Sequence, residues 1–379
     1  MNKESLTVAG WVEIDLSALS NNVKVIKRCL RGNTQFGAVV KKNAYGHGLV
    51  PIAQSVVSTS VDYLAVYSLE EALELRCANI TVPILVFGFI PPEVAKIVIC
   101  AHLTPTVMTP ELALALNSAA AELDTKVNVH VKVDTGLNRS GASFEDAANL
   151  LSFLFNLDHI EVGGLYTHFS SADELDKTPT ETQLRRFLDL AKAFPTVKFL
   201  HAANSAATLR FPETHLNLVR VGIALYGLKP YPFMEKDIPL RPVLSLKGQI
   251  ARIHRLRASE GVGYGLTWKA PNDALIALVP VGYGDGLPRS LSNRGEALVR
   301  GRRVPIRGII SMDQCILDIT NIAEAHVGDE VTFIGSQLYG QITAEEVAKW
   351  ANMINYEIVT RLPARLPRYY LSSSAEDLC

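Results

Sequence analysis

Nowhere in these 379 residues is there an apolar run of the ~18 residues that a membrane-spanning helix needs. The opening MNKESLTVAGWVEIDL lacks a basic segment followed by an apolar stretch, so no secretory leader is read there and a cytoplasmic location is expected. Cysteine is scarce: Cys29, Cys77, Cys100, Cys315 and Cys379 are an odd set without a CxxC pair. That argues against both a disulfide framework and a zinc site, so a reducing compartment and no metal are expected. Charge of one sign is also missing. Lys plus Arg number 37 against 38 Asp plus Glu, scattered without a long block, which disfavours nucleic acid or an anionic membrane as partner and favours a small molecule. No internal repeat or low-complexity segment is present.

The chain is longer than one ordinary core requires, so two domains are expected. From Trp11 to about Tyr226 short apolar runs alternate with amphipathic segments. The runs are FGAVV (36–40), YLAVY (63–67), PILVF (83–87), VNVHVKV (127–133), VGGLYTHF (162–169), VKFLH (197–201) and LVRVGIALYG (218–227). Between them SALSNNVKVIKRCL, SLEEALELRCA and TPTETQLRRFLDLAKAF carry apolar residues at helical spacing, with Ser or Thr expected at the N-caps. About eight such units over ~220 residues fit a (β/α)8 TIM-type barrel over residues 1–235, with a doubly wound sheet as the alternative. In either fold chemistry sits where the strands end. KPYPFMEKDIP (229–239) carries three prolines and reads as a linker. Beyond it LSLKGQIARIHRL, ALIALVPVGY, CILDI and DEVTFIG predict a mostly β domain over 240–379. One late helix, TAEEVAKWANMI (343–354), has a capping box in Thr343 and Glu346.

Two lysines stand at the end of the first apolar run, in VVKKNAYGHG (39–48). Alone, Lys41 and Lys42 would read as solvated loop lysines. At the C-terminal end of a barrel strand, however, a lysine faces the mouth of the barrel, where partial desolvation lowers its pKa toward use as a nucleophile or Schiff-base amine. Strand alternation would send the two side chains to opposite sides, leaving one for chemistry.

VVKKNAYGHG resembles the pyridoxal phosphate signature of alanine racemases. Further matches are VKVDTGLNRSG (131–141), LYTHFSSADE (165–174), HAANSAA (201–207), VRVGIALYG (219–227), GVGYG (261–265), VGYGDGLPR (281–289), SMDQ (311–314) and INYEIVTRLPARLPR (354–368). Ordered motifs at family spacing along nearly the whole chain are a strong signal where any one would be weak. The resemblance implies a barrel followed by a β domain, pyridoxal 5'-phosphate on a lysine, interconversion of L- and D-alanine for peptidoglycan, and a homodimer with shared active sites.

It also implies roles. Racemisation needs a base on each face of the substrate. Lys41 would carry the cofactor and serve D-alanine, and Tyr264 would serve L-alanine. A phenol titrates near ~10, so it needs a cationic neighbourhood, with His168 as its partner. Arg220 would face the pyridine nitrogen, where a permanent charge weakens the electron sink. Tyr45, Ser205, Gly222, Ile223 and Tyr356 are implied for the phosphate, with His201 and Asn204 lining the pocket. Arg139, the Met312 backbone and Asp313 are implied for the substrate carboxylate, with Lys132, a position often carbamylated in the family, orienting Arg139. From sequence alone Tyr264 could equally be a turn aromatic, Arg220 a salt-bridged strand-end residue and His201 a satisfied barrel histidine.

Two positions depart from the pattern. The family often has Ala where Lys42 stands and Arg where Ile309 stands. Tyr283, Arg289, Asp173 and Ile354 match the family's substrate corridor, so Ile309 changes its charge pairing, and Arg307, two residues earlier on an expected strand, would point the same way and partly replace the missing Arg. Rival readings are a serine or broad-specificity racemase, a decarboxylase, a cofactor-carrying barrel without turnover, and a Schiff-base aldolase using Lys41 alone. A decarboxylase would want a carboxylate at the ring nitrogen, which RVGIALYG does not offer. The ~140 residues holding Tyr264 and Met312 count against a bare carrier.

Overall fold

Eight parallel strands form one sheet, in the order Phe199–His201, Ile160–Tyr166, Val127–Lys132, Thr104–Val107, Ile84–Val86, Tyr63–Val66, Gln35–Val39, Leu218–Val221. The computed structural model describes residues 10–234 and 238–372. Within the sheet each strand lies beside its sequence neighbour and the first beside the last, which is a barrel and not a doubly wound sheet. The seam between Phe199–His201 and Leu218–Val221 is bridged by Asn217 N to Leu200 O and Arg220 N to Ala203 O, both 3.0 Å. Helices cover the strands because both faces of a parallel sheet must be buried. Together, residues Leu19–Ala44 and Leu49–Leu240 form this unit.

All seven apolar runs contain a strand of this sheet. The eighth, Thr104–Val107, was not read as one, because Pro105 removes a ladder donor and ordinarily demotes such a run. Helix Leu69–Cys77 starts at Ser68 with the expected cap. Elsewhere carboxylates replace the expected hydroxyls. Asp15 Oδ1 accepts from Ala18 N at 2.9 Å at the start of Leu16–Cys29, and Asp176 Oδ1 accepts from Thr178 N at 2.9 Å at the start of Thr178–Lys192.

The other unit gathers the described parts of Met1–Ala18, Tyr45–Gly48 and Arg241–Cys379. Its main sheet has ten strands, mostly antiparallel, as expected for the C-terminal region. The reading of residues 1–235 as barrel needs a correction at its start. Gly10–Asp15 pairs antiparallel with Leu244–Gln249 and parallel with Arg368–Leu371, so this early strand is built into the late sheet. Lys247, on the interior strand Leu244–Gln249, is buried and satisfied by Glu13 (2.8 Å) and Glu330 (3.0 Å). The late helix runs Ala344–Ala351 with the Thr343–Glu346 box in place, and stops short of residue 354 because Asn352 turns left-handed (φ +56°). Of the proline-rich segment 229–239, residues 235–237 lie outside the described residues, as does Cys379. Among the described residues no helix is long and apolar enough to cross a membrane, and no His/Cys/Asp/Glu group could hold a metal.

Candidate active site

Lys41 stands two residues past the end of Gln35–Val39, after Val40, and is partly buried, whereas Lys42 is exposed with its ammonium 5.4 Å from the centre of the Tyr67 ring. The two side chains separate as expected but for another reason. Strand alternation ends before them, and Lys42, Asn43, Ala44 and Tyr45 have φ of +54°, +53°, +51° and +53°, one turn of left-handed helix without a glycine. Each such residue costs roughly 1–2 kcal/mol. Ala44 N reaches back to Val40 O at 2.8 Å, and Asn43 Oδ1 accepts from Leu49 N at 2.8 Å.

Around the barrel strand ends four cations depress one another or the groups between them. Burial lowers the pKa of Lys41, and Arg139 lowers it further. Burial, then Arg220 and Arg139, bring Lys132 down to about 8, with its Nζ donating to Ser140 Oγ at 2.5 Å. His168 is held neutral, well below the usual imidazole range, by burial and by Arg220, Arg139, Lys132 and Lys41. Arg139 is set by a loop whose Gly136, Leu137, Asn138 and Arg139 amides all donate to the Asp134 carboxylate at 2.9–3.0 Å. Such a site suits a ligand bearing phosphate or carboxylate.

Arg220 is buried, and although burial lowers its pKa to about 10 it stays charged at neutral pH. Its Nη2 donates to Thr167 O (2.7 Å) and Ala202 O (3.0 Å), and its Nη1 donates to His201 Nδ1 (2.9 Å). That contact fixes the tautomer. With Nδ1 accepting, His201 carries its proton on Nε2 and donates to His130 Nδ1 at 3.0 Å. Tyr166 stacks on His201, with ring centres 4.6 Å apart and planes 12° from parallel, and exchanges a hydrogen bond with Thr106 at 2.8 Å. Sequence reasoning passed over both His130 and Tyr166. Their signal was their place beside Lys132 and His168, at inward strand positions where polar groups are uncommon.

His130 and His201 are fully buried, and burial followed by Arg220 lowers both, His130 to about 3. An unfolded histidine titrates near ~6.5, so below that pH the unfolded chain binds protons the folded chain cannot. Stability is therefore complete above about pH 6.5 and should fall by roughly 1.4 kcal/mol per pH unit for each ring as the pH drops further. Urea midpoints at pH 7.5, 6.5 and 5.5 check this. A flat profile across that range would contradict it.

Asn204 caps helix Ser205–Arg210, its Oδ1 accepting from Ala207 N at 2.9 Å. Ser205 Oγ accepts from Gly222 N (2.9 Å) and Ala224 N (3.3 Å), which leaves its proton for an incoming oxygen. These two segments thus meet, as the sequence motifs suggested.

In the other unit Tyr45 and Tyr356 lie together, ring centres 6.2 Å apart, and burial keeps the Tyr45 phenol protonated by raising its pKa. Tyr264 occupies the tip of a hairpin formed by Gly261–Val262 and Trp268–Lys269, between Gly263 (φ +71°) and Gly265 (φ +70°), and is 73% exposed. Tyr283 N donates to Ser311 O (3.0 Å) and Gly284 N to Met312 O (2.8 Å), which joins the loops carrying Tyr283 and Met312; Asp313 and Arg289 are exposed. A Cβ on Gly282 would fall 2.3 Å from Met312 O, so that position requires glycine.

Arg307 does not take over from the missing Arg at 309. The strand Arg302–Arg307 ends there and Gly308 turns at φ +74°, so period two does not carry on to Ile309. The Arg307 guanidinium lies 5.2 Å from the Trp268 ring centre and its Nε 3.7 Å from Asp318. Asp173, on the barrel unit, is exposed between two residues whose carbonyls accept from Arg210 Nη1, Ala172 at 2.7 Å and Glu174 at 2.5 Å.

Residues 14–230 match the sequence profile of the alanine racemase N-terminal domain and residues 243–370 that of the C-terminal domain. The chain belongs to the alanine racemase family. Among its relatives are the alanine racemases of Halothermothrix orenii, 43% identical with 98% of both chains covered, and Desulfovibrio desulfuricans, 41% identical over 95% of this chain and 98% of the relative. The solved alanine racemase of Clostridium difficile 630 superposes with a TM-score of 0.93 at 36% identity, covering 97% of each chain. That of a D-cycloserine-producing Streptomyces lavendulae gives 0.93 at 34%, covering 99% and 100%. Family membership accounts for the nine motifs at once, including those on the late β unit that the barrel reading left unexplained.

Proposed function

We propose that this racemase interconverts L- and D-alanine with pyridoxal 5'-phosphate, supplying D-alanine for peptidoglycan, and that it works as a homodimer whose active sites are each completed by the partner chain. The observation that carries the reading is the set of four cations, Lys41, Lys132, Arg139 and Arg220, whose charges all act on His168. Acidic phosphate and carboxylate are what such a set would bind, and Ser205 offers a hydroxyl beside the Gly222 turn.

The residues present fit the cofactor. Lys41, whose amine is already biased toward its neutral form, would hold it covalently. Tyr45, Ser205, Gly222, Ile223 and Tyr356 would hold the phosphate, and His201 and Asn204 would line the pocket. When bound, the cofactor supplies an electron sink for the pair left by the α-proton. Lys41 would remove or return that proton on one face and Tyr264 on the other; His168, held neutral, would partner Tyr264 as a hydrogen-bonding group and not as the expected cation, with Arg220 3.4 Å behind it carrying the charge. Arg139, the Met312 backbone and Asp313 orient the substrate carboxylate, with Lys132 behind Arg139. Arg220, charged and anchored by Thr167 and Ala202, would face the ring nitrogen, and a permanent cation there would weaken the electron sink and hold back competing reactions.

Support for the shared site comes from the second unit, where Tyr264, Leu266, Met312 and Ile354 are all more than half exposed apolar or aromatic side chains. Such side chains suit a protein interface. The purified protein with added pyridoxal phosphate should bring either enantiomer of alanine to an equal mixture, faster than it does serine. Failure with both alanine enantiomers would reject the reading, and faster turnover of serine would replace it with the broader racemase.

A mixture tests the sharing. One Lys41→Ala chain paired with one Tyr264→Phe chain places both lesions in one site and none in the other. Random exchange makes roughly half of the dimers hybrid, so equal amounts of the two inactive proteins should recover roughly a quarter of wild-type sites. Copurification of differently tagged chains without recovered activity would show that each site is built within one chain.

A further inference from the structure

Glu71 has an ordinary reading as the third helical residue of Leu69–Cys77, paired with its cap. Ser68 Oγ accepts from Glu71 N at 3.3 Å, and Glu71 Oε2 accepts from Ser68 N at 3.3 Å. The same carboxylate reaches further than a capping box requires. Its Oε2 also accepts from Tyr67 N at 3.1 Å, while Oε1 accepts from Lys42 N and from Asn43 N, the latter at 3.3 Å. One side chain therefore holds four backbone amides drawn from two segments, the start of its own helix and the turn that follows Lys41.

That turn needs holding. Lys42 and Asn43 have φ of +54° and +53°, and no glycine relieves the left-handed run from Lys42 to Tyr45. Such backbone persists only where surrounding contacts over-determine it. Ala44 N is satisfied by Val40 O and Asn43 Oδ1 secures Leu49 N, while Glu71 secures the two amides nearest Lys41. The Lys42 amide is exposed and water could replace its acceptor, but the half-buried Asn43 amide left without one would favour refolding of this segment into ordinary backbone.

We propose that Glu71 is a positioning residue for Lys41: its carboxylate clamps the left-handed turn at Lys42 and Asn43 and so fixes the direction in which Lys41 leaves its strand. The consequence for turnover rests on the reading of Lys41 as the cofactor lysine; the clamp itself is independent of it. The carboxylate also counters, by its charge, part of the depression that burial and Arg139 impose on the Lys41 ammonium.

Three variants of the full-length protein separate the clamp from the cap. Glu71→Gln keeps length and loses the charge and one acceptor oxygen; Glu71→Asp keeps the charge and loses reach; Ser68→Ala removes the cap hydroxyl and keeps the carboxylate. Amide hydrogen exchange at Lys42 and Asn43 should accelerate roughly tenfold or more in both Glu71 variants and stay as in wild type in Ser68→Ala. In the cofactor-loaded enzyme Glu71→Gln should lower kcat roughly tenfold with KM held within about twofold, because a misdirected Lys41 costs reaction geometry more than binding. Unchanged exchange in both Glu71 variants, or equal acceleration in Ser68→Ala, would overturn the clamp. Fast exchange with unaltered kcat would overturn the link to Lys41. Should Glu71→Gln fail to fold, Glu71→Asp carries both measurements. A wild-type protein without racemase activity would sink the functional reading and leave the exchange result standing, so the two failures are told apart.

Discussion

Lys41→Ala should abolish racemisation of both alanine enantiomers, a loss of at least about 10⁴-fold, because in the proposed reading one substitution removes both a proton-transfer group and the covalent hold on the cofactor. Borohydride treatment in the presence of pyridoxal phosphate should then no longer fix a label to the chain. Lys42→Ala should stay within a few-fold of wild type, since that ammonium is exposed over Tyr67 and its backbone amide, the part that meets Glu71, survives the change. Lys132 is the other amine to watch, lowered to about 8 in the same cationic group. Recovery of the label on Lys42 or Lys132 in the wild-type protein would overturn the assignment of Lys41.

Tyr264→Phe should lower kcat by about 10² to 10⁴, the contribution of one positioned acid–base group, while cofactor binding and KM stay near wild type. The ring itself remains, so the hairpin tip between Gly263 and Gly265 keeps its shape and only the hydroxyl is lost. Steady-state kinetics with L- and D-alanine check this. A fall of less than about tenfold would leave Tyr264 without a proton-transfer role.

Much of this was legible in the sequence, and the parts that were not share physical causes. Seven barrel strands announced themselves as apolar runs because strands covered on both faces read as near-continuous hydrophobic stretches. Caps at Ser68 and Thr343 were legible because they are local, decided within four residues. Gly10–Asp15 falls within the stretch 1–235 read as barrel, yet it joins the other sheet, because its pairing with residues 244–249 and 368–371 is a long-range fact that local pattern does not carry. Thr104–Val107 was hidden by Pro105. The left-handed turn at 42–45 was invisible for a related reason: Lys, Asn, Ala and Tyr do not ask for positive φ, and contacts from elsewhere, Glu71 among them, impose it. Arg307 was misplaced by extending strand alternation across Gly308. At the candidate site the motif residues stood out by type, whereas His130 and Glu71 lie outside every motif and Tyr166, inside LYTHFSSADE, carried no role of its own; what marks these three is their contacts with His201 and with the turn after Lys41.

The two-base account is tested most directly by solvent deuterium. In D2O the Tyr264→Phe enzyme should still exchange the α-proton of D-alanine, because Lys41 and the cofactor contacts are untouched, and should fail to exchange that of L-alanine. Equal loss of exchange from both enantiomers, or equal retention in both, would contradict the assignment of one base to each face.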